Sequence, residues 1–189
     1  PMALKSATES NPYYHEIPYM DNVEFNGYYQ SFKYFDWCRQ DILDALNFPY
    51  HLEKGITSLH IRRGDCIPQP DTFPLAPKSY YHNAIEYILE RGYNHFRVFS
   101  DDIPWCREEF IDERYPGCTF EFREGYTDVE DFIAMSCCEN NITARSTFSL
   151  MAGWFNLNPD KLVLVPDASF WWFGQNKDLV PDYFTQINL

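Results

Sequence analysis

The sequence of 189 residues has no long apolar run and no apolar core near its start. A membrane-spanning helix needs about 18 or more largely apolar residues in a row, and a secretory signal peptide needs a shorter apolar core. Neither the opening PMALKSATESNP nor any later stretch provides one. The sequence therefore predicts a protein without a membrane span, and we expect it in the cytoplasm.

Basic residues are scarce in this chain. Fifteen lysines and arginines stand against 28 aspartates and glutamates, so the formal net charge is −13 at pH 7. A surface of this sign repels a phosphate backbone, which argues against nucleic acid as a partner. Any anionic ligand must therefore be held by a few local cations.

Several motifs of catalytic and metal sites are absent. The sequence has no G-x-x-x-x-G-K-[ST], no G-x-G-x-x-G and no G-x-S-x-G, which excludes P-loop nucleotide hydrolases, the usual dinucleotide enzymes and α/β-hydrolases. H-E-x-x-H is also absent. The six cysteines form no C-x-x-C pair and no zinc-type spacing with histidine, which predicts mostly free thiols and no metal. A Cys106–Cys118 disulfide is the alternative if the protein is secreted.

Apolar residues, by contrast, are plentiful: they make up 45% of the chain, and aromatic residues make up 19%. This amount and this length suit one well-covered core. The aromatic surplus suggests sugar or base contacts, although packing in the core is the more common use of such residues. We predict a flexible N-terminal lead over residues 1–21 and a single domain over residues 22–189.

Short apolar runs alternate with segments of helical periodicity along most of the chain. The predicted strands cover residues 56–63, 95–102, 118–125, 140–146 and 161–166, and we expect the last of these to be the final strand. The predicted helices cover residues 25–48, 77–92, 104–115, 128–140 and 146–157. This order predicts an α/β fold, a single Rossmann-like domain with an open parallel sheet covered on both faces.

Polar residues follow four of the predicted strands, at His60–Asp65, Ser100–Asp102, Ser146–Ser149 and Pro166–Asp167. In open parallel sheets, ligands bind beyond the carboxyl ends of the strands, near the point where the strand order reverses. The sequence therefore predicts a ligand site at this edge of the sheet.

The stretch HIRRGD behind the first predicted strand is suited to phosphate. The guanidinium groups of Arg62 and Arg63 can each form two parallel, charge-assisted hydrogen bonds to a phosphate, and Gly64 lets the backbone turn tightly beside a bound group. A pyrophosphate is the natural ligand. The alternative is a surface ion pair between Asp65 and one of the arginines.

Two adjacent carboxylates, Asp101 and Asp102, follow the next strand. Such a pair can bind a metal, or one carboxylate can accept two parallel hydrogen bonds from an amidine-like edge such as that of guanine. The alternative for either residue is to cap the following helix, and both uses are compatible.

The stretch ARSTFSL carries Ser146, Thr147 and Ser149 where a strand gives way to a helix. Hydroxyls and unpaired backbone N–H groups converge on an anion at such a place. Plain capping of the helix is the alternative.

Several stretches together resemble one known family. They are GYYQSFKYF (27–35), HIRRGD (60–65), YYHNAI (80–85), VFSDDIPWC (98–106), DFIAMSCCENNITARSTFS (131–149) and the closing P-x-x-x-F-W-W-F (166–173). In order and spacing they resemble the C-terminal, donor-binding half of the α-1,2-fucosyltransferases, which belong to glycosyltransferase family 11. The resemblance covers the chain from about residue 22 onward.

The resemblance implies the C-terminal domain of a glycosyltransferase of the GT-B type, built from two Rossmann domains. It also implies an inverting transfer of fucose from GDP-β-L-fucose to a glycan hydroxyl, without a metal or other cofactor. By the same resemblance, Arg62 neutralises the β-phosphate and His60 lies near the nucleotide. Asp102, beside Asp101, reads the guanine edge.

Other residues match the family's motifs as well. The resemblance implies that Ser146, Thr147, Phe148 and Ser149 surround a phosphate, and that Arg63 and Asp65 belong to the site. Two stretches depart from the family pattern: no G-G-x-G-N-Q segment is present, and LMAGW stands where the family favours S-F-S-W-W. The first departure leads us to expect that an N-terminal acceptor domain is missing.

The residues leave two questions open. Asp65, Glu124 and Asp128 are all candidates for the base that takes the proton of the acceptor hydroxyl. The function itself has two alternatives: a non-catalytic module that binds a GDP-sugar, or a transferase that uses a UDP-sugar or another GDP-sugar.

Overall fold

The computed structural model describes residues 5–11, 13–17, 19–110, 114–167 and 178–188. The strands of these residues are β1 (Lys5–Thr8), β2 (Val23–Asn26), β3 (Glu53–Ile61), β4 (His95–Ser100), β5 (Thr119–Phe122), β6 (Cys138–Ile142), β7 (Val163–Pro166) and β8 (Thr185–Ile187). Strands β3 to β8 form a parallel sheet in the order β5–β4–β3–β6–β7–β8, and β1 pairs with β2 in a separate two-stranded sheet.

Five α-helices accompany the strands within the described residues. They are α1 (Arg39–Leu46), α2 (Lys78–Leu89), α3 (Ile103–Glu109), α4 (Asp128–Cys137) and α5 (Thr147–Phe155). Helix α4 begins with a capping box, in which the Thr127 hydroxyl accepts from the backbone of Glu130 and the Glu130 carboxylate accepts from the backbone of Thr127. The sequence T-D-V-E therefore fixes the start of this helix locally.

Both faces of the large sheet are covered. Leu59 and Ile61 of β3 pack against α2 and α3, in the largest cluster of buried apolar residues within the described part of the chain. Side chains of β7 that point to the opposite face, such as Val163, pack against α1 and α5. Parallel strands covered by helices on both faces confirm the predicted α/β, Rossmann-like fold.

Strand β3 lies at the point where the strand order reverses. The chain runs outward from β3 through β4 to β5, and then returns through α4 to β6 on the other side of β3. The crevice at the carboxyl ends of β3 and β6 is the place where such sheets bind ligands.

The prediction that the strand at residues 161–166 is the last one is wrong. Thr185–Ile187 pairs with β7 and extends the sheet by one more strand. Three residues are too few for a period of two to be recognised, so only the pairing with β7 identifies this strand.

The helix predicted over residues 25–48 is wrong in its first half. Only Arg39–Leu46 is α-helical, preceded by β2 and by 3-10 turns at Phe32–Tyr34 and Asp36–Cys38. Gly27 has a φ of +154°, and the backbone N–H of Tyr28 donates to the Glu9 carboxylate at 2.8 Å. The contact with Glu9, which lies 19 residues earlier in the chain than Tyr28, thus prevents the helix that the local periodicity predicts.

The predicted division into a lead and one domain stays a prediction. The region of the expected lead, residues 1–21, contains strand β1, which pairs with β2 from Lys5 to Thr8. Residues 168–173 of the closing P-x-x-x-F-W-W-F stretch lie outside the described residues, as do residues 111–113 of the predicted helix at 104–115. All six cysteines lie in the described part of the chain, and each is a thiol there, including Cys106 and Cys118.

Helix α5 packs unusually close to strand β7 at Gly153. A Cβ atom at this position would lie 2.6 Å from Cγ1 of Val163, well inside van der Waals contact. Replacing Gly153 with alanine normally favours a helix by about 1 kcal/mol, but here the added methyl group has no room.

We therefore predict that Gly153→Ala lowers the free energy of unfolding by about 1–3 kcal/mol, measured from urea unfolding curves. In the Val163→Ala background the methyl group has space, so the same substitution should cost less, and the two changes should be non-additive. A Gly153→Ala variant as stable as the parent protein would contradict the close packing.

Candidate functional site

The parallel register of β3 and β4 brings two turns together. Ile61 lies opposite Ser100, so the residues that follow each strand become neighbours. The backbone N–H of Arg63 donates to Asp101 Oδ1 at 2.7 Å, and Arg63 Nε donates to Asp102 Oδ2 at 2.9 Å. The predicted convergence of HIRRGD with the two aspartates is thus present in the structure.

A cleft of about 520 Å³ opens at the carboxyl ends of β3, β4 and β5. Its walls come from the turns after these strands and from the first residues of α4 and α5. They include His60, Arg62, Ser100, Asp101, Arg123, Glu124, Tyr126, Asp128, Asp131 and Phe148. Carboxylates outnumber guanidinium groups here, so each arginine lies among acidic neighbours.

Arg62 is half-exposed in the cleft wall and is paired with a carboxylate. Its Nε donates to Asp65 Oδ1 at 2.8 Å and its Nη2 to Asp65 Oδ2 at 2.6 Å, while Asp101 Oδ2 lies 3.7 Å from Nε. The hydrogen bond between Arg62 and Asp65 raises the pKa of the arginine and lowers that of the aspartate. The ion pair with Asp65 considered from the sequence is therefore present. An exposed pair contributes only about 0–1 kcal/mol, so an anionic ligand can displace Asp65.

Gly64 has a role that the sequence did not indicate. A Cβ atom at Gly64 would lie 3.0 Å from Oδ2 of Asp101. The glycine thus allows the turn after β3 to approach the carboxylate of Asp101, which in turn accepts the N–H of Arg63. Its lack of a side chain serves the contact between the two turns.

Arg63 and Asp102 lie beside the cleft rather than in its wall. Asp102 is the N-cap of α3: its Oδ1 accepts from the backbone of Trp105 at 3.3 Å, and its Oδ2 accepts from Arg63. The Arg63 guanidinium lies over the Trp105 ring, 4.0 Å from the ring centroid. Both oxygens of Asp102 are thus occupied, and Asp101 is the member of the pair that faces the cleft. The guanine-reading role of Asp102 stays a prediction.

His60 is a buried histidine at the floor of the cleft, with only 6% of its surface exposed. Burial lowers its pKa from 6.5 to about 4, with the Arg62 charge adding to this effect and the Asp101 charge opposing it. Its ring lies 5.7 Å from the Phe148 ring, and its buried Nδ1 has no hydrogen-bond partner among the residues that the structure describes. A buried polar atom without a partner costs free energy.

The residues at the start of α5 divide between capping and the cleft. Ser146 is the N-cap, and its hydroxyl accepts from the backbone of Phe148 at 3.3 Å. Ser149 is buried and bonded to the backbone of Ala144, whereas Phe148 lines the cleft and Thr147 is partly exposed. Capping, the alternative considered from the sequence, is therefore the observed role of Ser146. A phosphate at this end of α5 would meet backbone N–H groups rather than several hydroxyls.

Among the side chains of the cleft that carry a charge or a hydroxyl group, three were missed from the sequence: Arg123, Tyr126 and Asp131. Strand β5 was predicted to run to residue 125 but ends at Phe122, so the residues after it were not counted among the polar strand ends. The signal was present, because the stretch Arg123-Glu124-Gly125 directly follows the alternating run.

The three candidates for a general base differ in their surroundings. Asp65 holds Arg62, and Glu124 lines the cleft but accepts from Arg107. Asp128, in the first turn of α4, also lines the cleft, and its carboxylate has no hydrogen bond or ion pair to another described residue.

Metal-binding and membrane features were searched over the described residues. No three histidine, cysteine, aspartate or glutamate side chains are grouped there so that they would hold a metal ion. The helices of this part of the chain are also too short or too polar to cross a membrane. The expectation that the protein needs no metal or cofactor stays a prediction.

The lowered pKa of His60 predicts a pH dependence of stability. The unfolded chain takes up a proton at His60 near pH 6.5, but the folded protein does so only near pH 4. The contribution of His60 to the free energy of unfolding is therefore fully present above pH 6.5. It falls by up to about 3 kcal/mol as the pH drops from 6.5 to 4. The free energy of unfolding, measured with urea at several pH values in this range, should change less with pH for His60→Gln than for the parent protein. An equal pH dependence of the two proteins would contradict the assignment.

Comparison with known proteins identifies the family of the chain. A profile of Glycosyl transferase family 11 matches residues 10–169. An O-antigen biosynthesis glycosyltransferase, WbnK, of Escherichia coli is 36% identical over 148 residues, 73% of this chain and 48% of the relative. An alpha-1,2-colitosyltransferase of the same species is 31% identical over 185 residues, 88% of this chain and 63% of the relative.

A galactoside alpha-(1,2)-fucosyltransferase 2 of Gorilla gorilla gorilla is more distant, at 26% identity over 206 aligned residues, 89% of this chain and 59% of the relative. The chain thus spans about half to two thirds of the length of these relatives. The family profile, in contrast, covers most of the chain and includes every strand of the large sheet except β8. The chain therefore belongs to glycosyltransferase family 11.

Proposed function

We propose that this chain binds the donor of a sugar transfer in the cleft described above. The donor is GDP-β-L-fucose, and the reaction moves L-fucose to a glycan hydroxyl with inversion. The observation that carries the proposal is Arg62, a half-exposed guanidinium at the carboxyl end of β3, where the order of strands reverses. In a chain with a net charge of −13, such a local cation is what a diphosphate requires.

Arg62 acts on the leaving group. As the bond from the anomeric carbon to the β-phosphate oxygen breaks, GDP leaves with the electron pair and negative charge grows on the β-phosphate. A guanidinium held there in advance stabilises this charge more than it stabilises the bound donor, which lowers the barrier. Asp65, the present partner of Arg62, keeps the guanidinium oriented until the phosphate replaces it.

The acceptor needs a base on the opposite face of the sugar. The acceptor oxygen forms its bond to the anomeric carbon while a carboxylate takes the proton of that hydroxyl. Of the three candidates, Asp128 is favoured, because Asp65 is not among the residues that line the cleft and Glu124 accepts from Arg107. In the structure without a donor, the hydrogen bond from Arg62 also lowers the pKa of Asp65, which makes that carboxylate a weaker base.

Two other functions stay possible outcomes of the tests. One relative is named for the transfer of colitose, so a GDP-sugar with a different deoxy sugar is the second candidate donor. The chain spans about half to two thirds of the length of its relatives, so a GDP-sugar-binding module without turnover is the second candidate class.

Calorimetric titration with GDP, UDP and GDP-L-fucose, together with an assay for GDP release, separates these functions. We expect GDP and GDP-L-fucose to bind, UDP to bind at least about tenfold more weakly, and GDP-L-fucose to release GDP slowly. Equal binding of UDP would indicate a different donor, and binding without turnover would indicate a binding module. No binding of GDP would contradict the proposal.

The role of Arg62 has its own test. Arg62→Ala should weaken GDP binding by about 10- to 150-fold, because a charge-assisted hydrogen bond contributes about 1.5–3 kcal/mol. Arg62→Lys keeps the charge but loses the two-pronged geometry, so an intermediate loss is expected.

Arg91→Ala is the matched control, because Arg91 follows α2 at the opposite, amino-terminal edge of the sheet and should leave GDP affinity unchanged. An Arg62→Ala variant with the affinity of the parent protein would exclude Arg62 as the phosphate ligand.

A further inference from the structure

An arginine and a tyrosine form a stacked pair in the cleft, away from Arg62. The guanidinium carbon of Arg123 lies 3.6 Å from the centroid of the Tyr126 ring. Arg123 Nε donates to Asp131 Oδ1 at 2.9 Å, and the Phe99 ring centroid lies 5.6 Å from the same guanidinium. Three side chains from β4, the turn after β5 and α4 thus fix one guanidinium.

The two members of this pair differ sharply in exposure. The Arg123 side chain is 13% exposed, whereas Tyr126 is 54% exposed although its ring is held against the guanidinium. Gly125, with a φ of +82°, provides the reversal before Tyr126, and the capping box at Thr127 fixes the chain directly after it. Tyr126 is therefore a large aromatic surface, supported from below and open to the cleft.

The position of the pair along the sheet limits which part of a ligand reaches it. Arg62 follows β3 and Arg123 follows β5, two strands away in the sheet, which is a separation of about 10 Å. A diphosphate held at Arg62 and at the start of α5 does not extend that far. The sugar of a donor must stay open to the acceptor, so the part that runs along the strand ends toward β5 is the nucleoside.

We propose that Tyr126, supported by Arg123, is the stacking platform for the purine base of the bound nucleotide. The inference rests on the proposed function and assigns the base end of the same cleft. A flat aromatic ring backed by a guanidinium is suited to this role, because a base stacks on the ring and gains from the nearby cation. Asp131 is then a positioning residue, which holds Arg123 under the ring.

Binding of GDP and of inorganic pyrophosphate to a set of variants tests the platform. Stacking on one aromatic side chain contributes about 1–3 kcal/mol, so Tyr126→Ala should weaken GDP binding by about 5- to 150-fold. Pyrophosphate has no base, so its affinity should change less than about twofold. Tyr126→Phe keeps the ring and should bind GDP as the parent protein does. Tyr126→Leu keeps the bulk without the flat face and should behave like Tyr126→Ala.

Tyr13→Ala is the matched control, because Tyr13 is similarly exposed, at 47%, and lies outside the cleft. It should leave both affinities unchanged. An unchanged GDP affinity of Tyr126→Ala, or an equal loss for GDP and pyrophosphate, would overturn the platform. If the parent protein binds pyrophosphate but not GDP, or neither ligand, the proposed function fails instead, so the two failures are distinguishable.

Discussion

The parallel pairing of β3 with β4 is the constraint on which the whole site depends. It places the turn that begins at Arg62 beside the carboxylates of Asp101 and Asp102. Three contacts then join the two turns: a backbone N–H to a carboxylate, an ion pair, and the close approach allowed by Gly64. These contacts fix the direction of each arginine, so that Arg63 lies over α3 and Arg62 faces the cleft.

The same arrangement explains how an acidic protein can hold an anion. Each arginine of the cleft already has a carboxylate partner, Asp65 for Arg62 and Asp131 for Arg123. Binding of a diphosphate at Arg62 is therefore an exchange of one anion for another, and the exposed pair with Asp65 is the one that is weak enough to exchange. The Arg123 pair is mostly buried, and an uncompensated charge there would be costly, which favours a fixed structural role.

Much of the fold could be predicted from the sequence, because runs of apolar residues and helical periodicity identify the strands and helices that surround β3. Strand β8 could not be predicted, because three residues are too few to show the alternation of a strand. The interruption of the predicted helix at Gly27 could not be predicted either, because it depends on a contact with Glu9. These elements form through contacts between distant parts of the chain.

The site was predictable in outline but not in the direction of its side chains. The clustering of HIRRGD with the two aspartates followed from the rule that parallel strands end at one edge of the sheet. The same rule does not tell which of Asp101 and Asp102 faces the cleft, because that depends on how the turn after β4 leads into α3. Arg123 and Tyr126 were missed because β5 ends earlier than its alternation indicated.

A crystal structure of the complex with GDP is the most direct test of the central claim. The account predicts that the guanidinium of Arg62 leaves Asp65 and lies within hydrogen-bond distance of the β-phosphate, beside the start of α5. A nucleotide bound elsewhere, or one bound in the cleft while Arg62 remains on Asp65, would contradict it.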